Sequence, residues 1–70
     1  MRLTIHKGVA PEDWAECAQT AARFVAQFPE TQRDCVYSRD DFGVMLFVYR
    51  TRNGGIAVRM ERKAVGEDRP

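Results

Sequence analysis

Few side chains in this sequence are of the types that do acid–base, nucleophilic or metal chemistry. His6 is the only histidine, Cys17 and Cys35 are the only cysteines, and Asp40-Asp41 is a pair of adjacent carboxylates. An imidazole relays protons near neutral pH, but only beside an acid, base or nucleophile held at hydrogen-bond range. The alternation from Arg2 to Lys7 sets His6 on the polar face of a short strand with Arg2 and Thr4, opposite Leu3 and Ile5, where it is solvated. One imidazole and two thiols are too few for a closed zinc site, which takes four ligands. Asp13 and Glu16 near a helix start would hold a cation only with further donors that the sequence does not identify. Asp40-Asp41 falls where the chain turns, and aspartate suits turns because its carboxylate bonds nearby backbone. Cys35 has no base fixed beside it and reads as a small buried hydrophobe. There is no Gly-rich phosphate loop and no Ser-His-Asp arrangement. Catalytic residues, metal ligands, cofactors and a small-molecule substrate are therefore not assigned, and the protein is expected not to be an enzyme.

What stands out instead is arginine. Nine of the eleven basic residues are Arg, although the net charge is only +1. The charges are unevenly placed. Residues 50 to 63 carry Arg50, Arg52, Arg59, Arg62 and Lys63 against Glu61 alone, while Glu12, Asp13 and Glu16 have no base among residues 11 to 16. A guanidinium suits bidentate contact to carboxylate or phosphate better than an ammonium does. A GC-rich codon usage would produce the same excess.

The element that positions these arginines is a hairpin between Asp41 and Lys63. An apolar run, Val44 to Tyr49, leads into Asn53-Gly54-Gly55, and an alternating run, Ile56 to Met60, follows. Asn-Gly between two such runs is a strong hairpin signal, because tight turns need positive φ and these residues supply it. A two-residue turn on Asn53-Gly54 places Tyr49 opposite Val58, Phe47 opposite Met60 and Met45 opposite Arg62. The core face is then Met45, Phe47, Tyr49, Ile56, Val58 and Met60. The other face mixes Val44, Leu46 and Val48 with Arg50, Arg52, Arg59, Glu61 and Lys63. A turn on Gly54-Gly55 keeps these faces. A three-residue turn with a bulge would instead set Val44, Leu46 and Val48 beside Val58 and Met60, since a one-residue slip sends every side chain to the opposite face. The two-residue turn is the favoured expectation.

The rest of the chain frames this hairpin. Pro11 fits the first position of a helix, where its missing N–H is not needed, and Glu12 and Asp13 suit the positive end of the helix dipole. Apolar residues recur at Trp14, Cys17, Ala18, Ala21, Phe24, Val25 and Phe28, a 3.6-residue stripe expected to be core, with Trp14 and Phe28 anchoring its ends. Pro29 stops the helix at Phe28 or earlier. Asp34 to Arg39 reads as a strand, with Cys35 and Tyr37 on one face, and Gly43 marks a candidate bulge. The expected fold is α+β, ordered β-α-β-β-β: an antiparallel four-stranded sheet with one helix packed on one face. The first strand joins an edge, beside either the second strand or the fourth. Residues 1–64 form a single domain and residues 65–70 a disordered tail.

Seventy residues give one small core and marginal stability, so oligomerisation is a natural support. The N-terminal stretch lacks the apolar core of a secretion signal, and no apolar run approaches the roughly 18 residues of a membrane span. The chain is expected to be cytoplasmic, with both cysteines as free thiols.

Two binding readings follow. In the first, a non-enzymatic protein-binding or self-associating module uses Val44, Leu46, Val48, Arg50, Arg52, Arg59, Glu61 and Lys63, an apolar centre with an arginine-rich rim. A very short, motif-poor α+β domain also resembles, in size and style only, many phage-encoded inhibitors of bacterial defence, including anti-CRISPR proteins, which share no common signature. That likeness implies an inhibitor of a host complex. In the second reading, Arg50, Arg52, Arg59, Arg62 and Lys63 track nucleic-acid phosphates, with Tyr49 or Tyr37 stacking on a base. Near-neutral net charge weighs against the second.

Overall fold

A computed structural model describes residues 2–39 and 43–62. Strand β1 (Leu3–Ile5) leads through a 3-10 turn (Pro11–Asp13) into helix α1 (Trp14–Gln27), followed by β2 (Asp34–Arg39), β3 (Val44–Arg50) and β4 (Ile56–Arg62). The strands form one sheet in the order β1-β4-β3-β2. Asp40-Asp41, Lys63 and the tail at 65–70 lie outside the described residues.

The α+β class and the single helix over a four-stranded sheet are as expected, but the sheet is mixed and its spatial order is not that of the chain. Strands β2, β3 and β4 make an antiparallel meander, whereas β1 lies parallel to β4. Ile56 N–H donates to Arg2 O at 2.9 Å and His6 N–H to Val58 O at 2.9 Å, the slanted pattern of a parallel pair. This register sets Leu3 beside Ile56 and Ile5 beside Val58, so the two apolar residues of β1 extend the apolar rows of β4 beneath the helix.

The hairpin turn decides the interior. Arg50 pairs with Ile56, so the connection holds three loop residues, Arg52 to Gly54, between Thr51 and Gly55. Thr51 N–H donates to Gly55 O at 2.9 Å, Gly54 N–H returns to Thr51 O at 3.1 Å, and Gly55 N–H is taken by Thr51 Oγ1 at 3.0 Å. Gly54 adopts φ +84°, and no residue other than glycine has positive φ among those described. This is the three-residue loop closed by a left-handed glycine. The two-residue turn would have asked Asn53 itself to go left-handed.

The expected face assignment of β3 is thereby corrected. Val48 lies opposite Val58, Leu46 opposite Met60 and Val44 opposite Arg62. Val44, Leu46 and Val48 are at most 2% exposed and form the core with Val58, Ile56, Cys17, Ala21 and Phe24. Met45, Phe47 and Tyr49 point to the face opposite helix α1. The assignment of Ile56, Val58 and Met60 to the helix side stands.

The helix buries a narrower stripe than its sequence suggests. Cys17, Thr20, Ala21 and Phe24 are buried, whereas Trp14 is 49% and Val25 41% exposed, and Ala18 is also exposed. Trp14 therefore does not anchor the core: its indole N–H donates to Val9 O at 3.0 Å, tying the helix start to the preceding loop. Thr20 is buried with its hydroxyl satisfied, donating to Glu16 O at 2.8 Å, one turn back. Helix α1 ends at Gln27, and Phe28 is already extended ahead of Pro29.

Two substitutions check this arrangement. Leu46→Asp places a carboxylate in the dry core and is expected to cost more than about 4 kcal/mol, enough to unfold a domain of this size. A cooperative urea transition close to the wild-type midpoint would contradict the register. Gly55→Ala would set a Cβ 2.6 Å from Arg2 O, against the backbone just ahead of β1. It is expected to cost roughly 1–3 kcal/mol, seen as a fall in melting temperature with the hairpin retained.

Candidate protein-binding face

With the register fixed, the open face of the sheet can be built row by row. The first row is Thr4, Ala57, Tyr49 and Asp34; the second is Arg59, Phe47 and Val36; the third is Glu61, Met45 and Ser38. Val36 is 51% and Tyr49 40% exposed, Met45 and Phe47 are half-buried, and no helix among the described residues covers them. The Arg59 guanidinium lies 4.4 Å from the centre of the Phe47 ring and is ion-paired to Glu61. Its stem and planar head shield the aromatic face while the charge stays hydrated. The centre of the patch is thus Phe47, flanked by Val36, Met45, Tyr49 and Ala57, with Asp34, Ser38, Arg59 and Glu61 at its border.

The eight residues expected to bind a partner separate in space. Val44, Leu46 and Val48 are core. Arg50 lies on the helix side of the sheet, 4.8 Å over the Phe24 ring. It donates to Gln32 O at 2.7 Å, Pro29 O at 3.0 Å and Phe28 O at 3.3 Å. These carbonyls follow the helix C-terminus, where a cation also meets the negative end of the helix dipole. Arg52 is exposed in the hairpin loop, Arg59 and Glu61 share the open face, and Lys63 is outside the described residues. Sequence reading missed Val36, Met45, Phe47 and Tyr49 as the open patch. The available signal was the Thr-Arg-Asn-Gly-Gly loop, in which Gly54 can be left-handed while Asn53 is not.

At the opposite end of the helix-side face, Arg39 and Arg62 converge on the helix start. Arg39 ion-pairs with Glu16 and lies 3.4 Å from Asp13 Oδ1, and Arg62 lies 3.5 Å from Asp13 Oδ2. Asp13 is only 8% exposed, so both partners offset the cost of burying its carboxylate. The hydrogen bond to Glu16 pushes the Arg39 pKa up, against a smaller desolvation effect. Of the arginines in the nucleic-acid reading, Arg50, Arg59 and Arg62 therefore have partners within the chain, and Arg50 and Arg62 sit on one face with Arg59 on the other. That reverses the expected grouping of Arg50 with Arg59.

His6 is exposed and borders an apolar concavity of about 330 Å³ with Leu3, Ile5, Lys7, Val9 and Trp14. No carboxylate, thiol or hydroxyl side chain lines it beside His6. No group of three His, Cys, Asp or Glu that could hold a metal ion occurs among the described residues. No helix there is long and apolar enough to cross a membrane. No family model matches the chain, and no match is found among curated proteins or solved structures.

Both thiols are free. Cys17 is fully buried, and burial first, then the carboxylates of Glu16 and Asp13, pushes its pKa above the ordinary value of 9.0. Its raised folded pKa means that stability is intact below about pH 9 and falls as pH rises through the range where only the unfolded thiol ionises. Native protein is expected to react with a thiol-specific reagent at Cys35, and at Cys17 only through unfolding. Equal labelling of both in native buffer would contradict the packing of Cys17.

Proposed function

We propose that this protein is a non-enzymatic binding module that holds a protein partner against the open face of its sheet, centred on Phe47. The observation that carries this reading is the placement of Val36, Met45, Phe47 and Tyr49 together on a face that no helix among the described residues covers, bordered by Arg59 and Glu61. Contiguous apolar surface with a polar rim marks interaction sites on small soluble domains, and aromatic residues with arginine are the types that dominate binding energy. A binding role also accommodates the poverty of catalytic groups: a flat sheet face offers shape and apolar area, not a cleft for chemistry. An inhibitory role, drawn from the likeness in size and style to phage-encoded inhibitors, gains no support from a family or structural match.

The test pairs folded variants. Phe47→Asp and Val36→Asp change the open face alone, whereas Gln19→Lys alters the far side of the helix. Immobilised protein is expected to capture its partner from an extract of the source cells in the wild-type and Gln19→Lys forms, and to lose at least tenfold in the two face variants. Undiminished capture by both face variants would reject this surface. Salt-sensitive binding to generic duplex DNA or RNA, unaffected by Phe47→Asp, would favour the nucleic-acid reading instead.

A further inference from the structure

We infer that the open face pairs with the same face of a second copy of this chain, giving a two-fold sandwich with its axis along β3. This rests on the binding role proposed for that face and names its occupant. The warrant is that an axis along β3 brings all three rows of the face together with no like charges opposed. An isologous face-to-face contact has its two-fold axis in the plane between the sheets. An axis across the strands sets each pair of β4 strands against one another. Through the Phe47 row it brings Arg59 onto Arg59 and Asp34 onto Ser38. Between the Phe47 and Met45 rows it brings Arg59 onto Glu61 but leaves the Tyr49 row without a counterpart in the patch. An axis along β3 keeps the rows level and sets β4 of one copy over β2 of the other.

In that second orientation Met45, Phe47 and Tyr49 each meet their own counterparts along the axis, an apolar seam three residues long. Ala57 then lies over Asp34, Arg59 over Val36 and Glu61 over Ser38. Arg59 covers the exposed Val36 with its stem and reaches Asp34 one row away, while the Ser38 hydroxyl donates to Glu61. Each contact occurs twice. Sheets stacked with strands within about 30° of each other are an ordinary packing, with inner faces roughly 10 Å apart.

The size of the face sets the strength. Three strands about 4.8 Å apart and seven residues of about 3.3 Å give roughly 330 Å² in projection per copy, more with side-chain relief. Twice that area falls below the roughly 1,200–2,000 Å² of stable specific interfaces, so the dimer is weak and transient and forms only at high protein concentration.

Sedimentation equilibrium of the full chain, from about 10 μM to about 1 mM, tests this. The wild-type mass is expected to rise toward that of a dimer, and Phe47→Asp, or Val36→Lys should the first fail to fold, to remain monomeric. Asp34→Arg and Arg59→Asp are each expected to weaken association at least tenfold. Mixed in equal amounts they are expected to recover it as a heterodimer, since one copy then supplies both arginines and the other both aspartates. A wild-type chain monomeric throughout, or a mixture no stronger than either variant alone, overturns the inference. Capture of another protein that Phe47→Asp abolishes, by a chain that stays monomeric, removes self-association and leaves the binding face standing.

Discussion

The structure depends on one backbone fact: Gly54 carries the left-handed residue of a three-residue hairpin loop. Strand β3 is apolar on both faces, so side-chain chemistry alone gives it no strong preference for which face to bury. Strand β4 has a clear preference, since Ile56, Val58 and Met60 alternate with Ala57, Arg59 and Glu61. The loop couples the ambiguous strand to the decided one. With Val48 opposite Val58, compact aliphatic side chains fill the space beneath the helix and the long ones, Met45, Phe47 and Tyr49, are left outside. Gly55, one residue further on, admits the Arg2 carbonyl just ahead of β1 at a distance that no side chain would permit. The two adjacent glycines thus serve different ends, one a dihedral angle and the other a close approach.

A short helix over a small sheet also needs its two ends held. Here arginines on the helix-side face of the sheet hold both. Arg50 satisfies carbonyls beyond the helix C-terminus while stacking on Phe24. Arg39 and Arg62 meet the carboxylates of Asp13 and Glu16 at the helix start. Cations at a helix N-terminus oppose the dipole by themselves; the acidic residues between them and the helix reverse the sign of that contact. Much of the arginine excess therefore has a structural use, because guanidinium forks reach several acceptors from one strand position. The pairs at the helix start offset the burial of the Asp13 carboxylate, and Arg50 satisfies the Phe28 and Gln32 carbonyls while sharing the Pro29 carbonyl with Gln32 N–H.

The elements were legible in the sequence because each has a local cause. Pro11 and Pro29 bracket the helix, the 3.6-residue recurrence around Cys17, Ala21 and Phe24 gives its buried side, and alternation marks β1 and β4. What was not legible is set by contacts between elements. The same three letters, Asn53-Gly54-Gly55, fit a two-residue and a three-residue turn, and choosing between them exchanges the core for the surface. The parallel pairing of β1 with β4 requires knowing where the helix returns the chain. Trp14 matched the apolar stripe by spacing, but as the first residue of the helix it stays half-exposed, with its N–H on Val9 O. The open face was foreseen in kind, as one side of a doubly apolar strand without a helix, and misplaced in identity by a single residue of register.

Burial of Phe47 beneath the helix would have been the simplest way to stabilise so small a domain, and the loop forbids it. The exposed ring is instead partly covered by Arg59, itself held by Glu61. Such a lid lowers the penalty of leaving an aromatic ring in water without closing the surface. A guanidinium moves at the cost of a side-chain rotation, whereas a packed helix moves only with loss of the fold. The arrangement lets the same residues serve a separated chain in water and a chain with its open face covered, because Arg59 can exchange Glu61 for another carboxylate while remaining stacked on an aromatic or apolar neighbour. A permanently buried core needs no such exchangeable cover, and a purely solvated face would not place Val36, Met45 and Tyr49 around the ring. The combination is what supports the binding role proposed for this face.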